Sequence, residues 1–278
     1  MIKKFYPTIG LLLLFLLLLT GCNQSQTNGD SAQGSPSGVE KLVQVPDANS
    51  SQDQESPAFV TKDVTLISTD NSSLLAIGSS DADLFFLPTS DVQILNLKNK
   101  EISSSELVPG MILTITYNGE IMESYPASFG EVSTMKVKQI GSNLVELYYQ
   151  MILDIFSQDT ALNDDTSIIA LDLTQASNLT DGEKSALSYL VMNGFMKDCY
   201  LYTYEELISE GLIDDEALYF RDGILITIAV TKETSDSFTF SISKWRSGLG
   251  AIGYNDCTAK RNGTEWTYKL TNGLMWIS

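Results

Sequence analysis

The chain has 278 residues, with 17 Lys or Arg against 35 Asp or Glu and a formal charge of −18. A surface this anionic repels phosphates, so nucleic acid is not expected as a partner. No histidine occurs anywhere, which removes Ser-His-Asp and Cys-His mechanisms, His-containing zinc sites and the usual pH switch. Divalent-cation binding is the alternative to simple solubility as a reading of the carboxylates. However, "DTALNDDTSIIALD" lacks the Asp-x-Asp-x-Asp-Gly order and the closing Glu of a calcium loop. Neither a metal nor any other cofactor is expected.

Lys3 and Lys4 precede an apolar run from Ile9 to Leu19. As a helix that run is only ~16 Å long, against roughly 30 Å of hydrocarbon. A charged start, a short apolar core and a small residue before a cleavage point are the pattern of a secretory leader. The stretch "LTGC" (Leu19 to Cys22) resembles the lipobox of bacterial lipoproteins, here of a Gram-positive, clostridia-like type. The resemblance implies that residues 1–21 are a signal peptide cut off before Cys22, whose thiol carries a diacylglycerol. It also implies a cell-membrane address on the extracellular face, with the membrane as partner through that lipid. Loss of Lys3 and Lys4 takes the formal charge from −18 to −20. Residues 22–58 follow as the lipidated Cys and a linker of Ser, Gln, Asn, Gly, Asp and Pro without aromatics. Such a segment buries too little apolar area to offset its ordering entropy. It is expected to be disordered, holding the folded part roughly 30–36 Å from the lipid.

Two modules are expected beyond it. Residues 59–141 contain "DVTLIST", "SLLAIG", "DLFFLP", "VQILNL", "MILTITYNGEIMES" and "EVSTMKVKQI", short β-rich runs separated by turn residues. Asn118-Gly119 predicts a tight hairpin, since both residues tolerate positive φ. "SSSELVPGM" predicts one short helical turn. Short strands with one such insertion suggest a small OB-like β-barrel. "ELVPGMILTITYNGEIMESYPASF" also resembles the YobA-like small β-barrel domains of Gram-positive lipoproteins, which implies the same fold and surface address.

Residues 142–278 change period. In "VELYYQMILDIF", Tyr148, Met151, Ile152 and Ile155 share a helical face from which Glu146 and Asp154 fall away. Thr180 with Glu183, and Thr203 with Glu206, form capping boxes for two further helices, the second stopped by Gly211. The last third predicts strands at "GILITIAV", "SFTFSISKW", "GAIGYNDCTAKR" and "TEWTYKLT". With Asn262-Gly263 as the final turn, Lys260 would face Glu265 and Asp256 would face Lys269, while Ala259 and Cys257 face Trp266 and Tyr268 on the core side. The fold class expected is mainly β plus α+β: the barrel, then an α+β domain with helices packed on a curved antiparallel sheet. The second module resembles cystatin-like or NTF2-like architecture. "FTFSISKWRSGLGAIGYNDCTAKRNGTEWTYKL" is also similar to the C-terminal module of uncharacterised surface lipoproteins from clostridia-like bacteria.

Candidate chemistry is thin. "GLGAIG" (Gly248 to Gly253) matches a dinucleotide-binding pattern but leads into a strand, not the helix whose N-terminus would hold a pyrophosphate. "STMK" (Ser133 to Lys136) matches Ser-x-x-Lys, but in a strand i and i+3 point to opposite faces. Cys199 and Cys257 are a candidate disulfide, with two buried thiols as the alternative. The pairs Asp164-Asp165, Glu205-Glu206 and Asp214-Asp215 could serve a carboxylate hydrolase, or simply cap helices and face solvent. Lys244, Trp245 and Arg246 in "SKWRSG" place two cations and a flat ring together, a candidate contact for an anionic partner; the alternative is a strand edge whose Arg pairs with a nearby Asp. The resulting expectation is a membrane-anchored, non-catalytic binding or interaction module for a protein or cell-wall partner. A carboxylate-based cell-wall or glycan hydrolase and a small-molecule receptor component of a transporter are the alternatives. The receptor is disfavoured because no alternation of strand and helix is read.

Overall fold

The computed structural model describes residues 58–70 and 73–278. Cys22, the leader and nearly all of the linker lie outside the described residues. The described residues form one compact unit, built on two sheets.

The first sheet contains β1 (Val60–Asp70), β2 (Ser73–Gly78), β3 (Leu84–Leu87), β4 (Gln93–Leu95), β5 (Met111–Tyr117), β6 (Ile121–Met122), β7 (Ala127–Phe129) and β8 (Val132–Ile140). Their order is β4-β8-β5-β1-β2-β3-β7-β6, an open path that does not close into the expected barrel. In β5 the alternation is plain: Leu113, Ile115 and Tyr117 are buried between half-exposed Thr114 and Thr116. The predicted short helical turn is present at Ser104–Glu106, with Ser103 and Glu106 forming its capping box. The hairpin expected at Asn118-Gly119 is not formed. The turn is there, with Gly119 at φ +87°, but β6 pairs with β7 and β5 pairs with β8. Turn chemistry is local, whereas the choice of partner strand depends on the whole sheet.

The second half contains α1 (Leu144–Ser157), β9 (Ile168–Asp172), α2 (Asp181–Phe195), β10 (Asp198–Tyr200), α3 (Tyr204–Ser209), β11 (Ile213–Asp214), β12 (Tyr219–Phe220), β13 (Gly223–Glu233), β14 (Ser237–Ser247), β15 (Gly250–Asn262), β16 (Glu265–Lys269) and β17 (Leu274–Ile277). The antiparallel meander β13-β14-β15-β16 is as expected. The sheet as a whole is mixed, not antiparallel, because β9 runs parallel to both β13 and β10. Thus β9-α2-β10 is a strand-helix-strand unit that periodicity did not reveal: "IIALD" is buried on both faces and shows no alternation. The final hairpin keeps its faces but shifts partners by two residues. Asn262 pairs with Glu265 and Ala259 with Tyr268, so the turn is Gly263-Thr264 and the two expected charge pairs do not oppose each other.

The expected boundary near residue 141 separates the two sheets, while β1 and β2 contribute side chains to the cores on both sides of it. β2 is a wall buried on both sides: Leu74 and Ala76 join the interior of the first sheet, while Leu75 and Ile77 join the core around α1 and α2. A register shift between Leu66 and Ser68 in β1 does the same for Ile67, which turns toward the helices while Leu66 stays inside. The helices therefore lie between the sheets, burying Val145, Tyr148, Met151, Ile152 and Ile155 from α1. Each such aliphatic side chain contributes about 1.5–3 kcal/mol. Asn143 fixes where α1 starts. Its side-chain oxygen accepts from Val145 N and Glu146 N, and its amide donates to Ile67 O at 2.8 Å. Both expected capping boxes, Thr180/Glu183 and Thr203/Glu206, are formed. α3, β11 and β12 cover the far face of the second sheet through Leu207, Ile213 and Phe220.

Candidate functional site

Lys244, Trp245 and Arg246 do not form an external patch. On β14 the side chains alternate, so Lys244 follows Phe238, Phe240 and Ile242 to the buried side. Lys244 is 0% exposed. Its Nζ donates to the carbonyls of Phe156 (3.1 Å), Gln158 and Asp159 (3.1 Å) and to Asn163 Oδ1 (2.9 Å). The last turn of α1 has no basic residue of its own, so the ammonium supplies from the sheet the cation and donors that a helix C-terminus favours. Burial pulls its pKa down to about 8, while Asp159 acts in the opposite direction. Arg246 extends the same anchoring. Nη1 donates to Leu162 O (3.2 Å) and Asp164 O (2.5 Å), and Nη2 donates to Tyr219 Oη (3.3 Å) and Arg221 O (3.2 Å). Its partners are carbonyls and a phenol, not an Asp carboxylate. Trp245 points the other way, edge-on to Tyr204 with ring centres 5.2 Å apart.

Cys199 and Cys257 are free thiols, so the candidate disulfide is not formed. Cys199 lies on β10 at one margin of the second sheet, and burial pushes its thiol up to about 11. Cys257 is buried on β15 with Sγ 3.6 Å from Leu270 O. The paired carboxylates act locally: Glu206 closes the α3 capping box, Asp214 Oδ1 accepts from Ala217 N at 2.9 Å, and Asp215 accepts from Tyr204 Oη at 3.4 Å. "GLGAIG" is the β14–β15 turn and the start of β15, and "STMK" lies in β8.

Sequence reasoning did not find the groove between α1 and the β15–β16 hairpin, about 770 Å³ in volume. One wall is the polar stripe of α1, where Glu146, Gln150 and Asp154 follow one another at i, i+4 and i+8. The opposite wall is Glu265, Trp266 and Tyr268; the groove is also lined by Val108, on the connection before β5, and Ile140, at the end of β8. Tyr268 Oη donates to Asp154 Oδ2 at 2.7 Å, tying hairpin to helix. Burial, then Asp154, raises that phenol's pKa. Gln150 donates to Glu146 Oε1 at 2.8 Å. Trp266 is braced by Phe238, with ring centres 5.4 Å apart, and by the Arg261 guanidinium 5.7 Å from its ring. Its indole N–H is buried with no hydrogen-bond partner. Three carboxylates and no Lys or Arg line the groove; Lys260 and Lys269 line a separate hollow on the same hairpin. A second hollow of about 550 Å³ lies between β6–β7 and α2, beside Asp83, Glu123 and Tyr125, but there only one aromatic ring meets its carboxylates.

Eight residues along a helix place Glu146 and Asp154 ~12 Å apart at the backbone. That exceeds the roughly 5–9.5 Å separating the carboxyls of a glycosidase pair. The groove is not a dry apolar pocket; it is an open, mixed, acidic surface.

Compared with known proteins, the chain matches no protein-family model, no curated protein and no solved structure. Its class is therefore given by architecture: a mainly β protein of two open sheets with helices between them and an acidic, aromatic-walled groove beside α1.

Proposed function

We propose that this chain is a membrane-anchored extracellular lipoprotein that acts non-catalytically as a binding module, held by lipid at Cys22. The observation that carries the binding role is the open groove, whose walls come from three separate segments and combine carboxylates, aromatic rings and exposed apolar side chains. The address rests on the leader and "LTGC".

We also read the first sheet as an OB-like module of YobA-like type, open at one seam. Support comes from the chain order: β7 and β8 follow each other across Gly130-Glu131, with β7 beside β3 and β8 beside β5. One stretch of chain thus reaches both ends of the β5-β1-β2-β3 run, and the short helical turn sits between β3 and β5 as in OB folds. Helices against the β13–β16 meander suit a cystatin-like or NTF2-like second module, to which β9 and β10 are additions.

Mass spectrometry of protein from its native membrane tests the address. The N-terminal peptide should begin at Cys22 and carry a diacylglycerol, and Cys22→Ala should release the protein into the medium. An unmodified Cys22 sulfur, or residues 1–21 still attached, would overturn the reading.

A further inference from the structure

We propose that the groove between α1 and the β15–β16 hairpin binds a basic peptide segment, its Lys or Arg side chains lying along the Glu146–Asp154 stripe and an apolar side chain resting against Val108 and Ile140. The inference rests on the reading of the protein as a binding module and names the partner's chemistry.

Charge selects the cation. Glu146, Asp154 and Glu265 line the groove with no basic side chain among them. The ion pairs among the described residues are those of Asp81, Asp63 and Asp236, so none of these three carboxylates is matched. In a chain of formal charge −18, an unmatched acidic groove concentrates cations.

Shape selects a segment over a point charge. Among the described residues no three His, Cys, Asp or Glu groups come close enough to hold a metal ion. The stripe Glu146–Gln150–Asp154 instead extends ~12 Å along α1, the length of three or four residues of extended peptide at roughly 3.3 Å each.

The remaining features fit a peptide better than a polyamine. Val108 and Ile140, 47% and 48% exposed, give the groove an apolar portion that a polyamine would leave uncovered.

The test is calorimetric titration of the full chain, in detergent, with a short synthetic peptide of alternating Lys and Leu. Parallel titrations use the same peptide with Glu for Lys, spermine, and calcium chloride. The alternating basic peptide should bind, weaken as salt rises, and lose at least tenfold in affinity on the double variant Glu146→Gln, Glu265→Gln, whose fold is checked by circular dichroism. The acidic peptide should not bind. Equal affinity for wild type and double variant would overturn the proposal in favour of diffuse surface charge. Spermine binding as tightly as the peptide, or calcium displacing it at equal concentration, would overturn the choice of a peptide. Failure here leaves the lipid anchor untouched, because the mass of the Cys22 peptide does not depend on the groove.

Discussion

Replacing Lys244 with Met removes the ammonium while keeping a similar side-chain volume, so it isolates the polar role of this residue. Phe156 O would keep a donor, because Asn163 Nδ2 also bonds it at 2.8 Å. Asp159 O would keep one as well, from Leu162 N at 3.1 Å, so Gln158 O and Asn163 Oδ1 are the acceptors that lose their donor. A buried acceptor left unpaired costs about 1–3 kcal/mol, so two cost roughly 2–6 kcal/mol. Against that, the folded state no longer buries a charge, a relief of several kcal/mol. The expected net loss is about 1–3 kcal/mol, a fall in Tm on the order of 2–12 °C for a folded unit of this size. Urea unfolding of Lys244→Met followed by tryptophan fluorescence measures the loss, and hydrogen exchange over residues 156–164 locates it. A variant within about 0.5 kcal/mol of wild type, with unchanged exchange in that segment, would refute the idea that Lys244 holds the end of α1 in place.

Other outcomes follow from the same geometry. Burial sets the Lys244 ammonium at about 8 against its usual 10.5. Between those values the unfolded chain holds the extra proton and stability from this group rises with pH. Wild type should therefore gain about 1–2 kcal/mol on Lys244→Met from pH 8 to 9.5, and a gap that narrows in paired urea titrations would contradict this. Cys199 and Cys257 should both react with a thiol reagent after unfolding without reductant, and dithiothreitol should leave the Tm unchanged; a mass two units low would reveal a bond instead. A Cβ at Gly182 would come within 2.8 Å of Ala82 Cβ and Ile77 Cγ2. Gly182→Val should thus cost about 1–3 kcal/mol by wedging α2 from β2, read as a lowered calorimetric midpoint; an unchanged midpoint would argue against this close packing of helix on strand.

The legible parts of the fold were those in which one segment carries its own signal. All three helices announced themselves through an N-cap or a polar-apolar period, and Asn143, Thr180 and Thr203 cap them. β13 to β16 were legible from alternation. The hairpin of β15 and β16 shows the limit of that signal. Alternation fixed which side chains face the core, and Ala259, Cys257, Trp266 and Tyr268 do. A slip of two residues preserves every face, so the pattern could not choose between Asn262-Gly263 and Gly263-Thr264 as the turn. β9 failed for the opposite reason. Both faces of "IIALD" are buried, so no alternation exists to detect, and with it went the parallel pairing to β13.

The cation cluster carried a signal that was present but misread. In "SFTFSISKWRS" the apolar parity is Phe238, Phe240, Ile242, and the next member of that parity is Lys244. A lysine on the core side of a strand must find acceptors or shed its proton. The acceptors here are main-chain carbonyls at the end of α1, which no residue type advertises. The groove was hidden for a related reason: Glu146, Gln150 and Asp154 look like an ordinary solvated helix face until the hairpin bearing Trp266 and Tyr268 is laid beside them. The two observations reverse the expected polarity of recognition. With buried Lys244 and half-buried Arg246 both donating to backbone oxygens, the cations that suggested an anionic partner are already engaged within the chain. The carboxylates of the groove remain unmatched, and they favour a partner of positive charge.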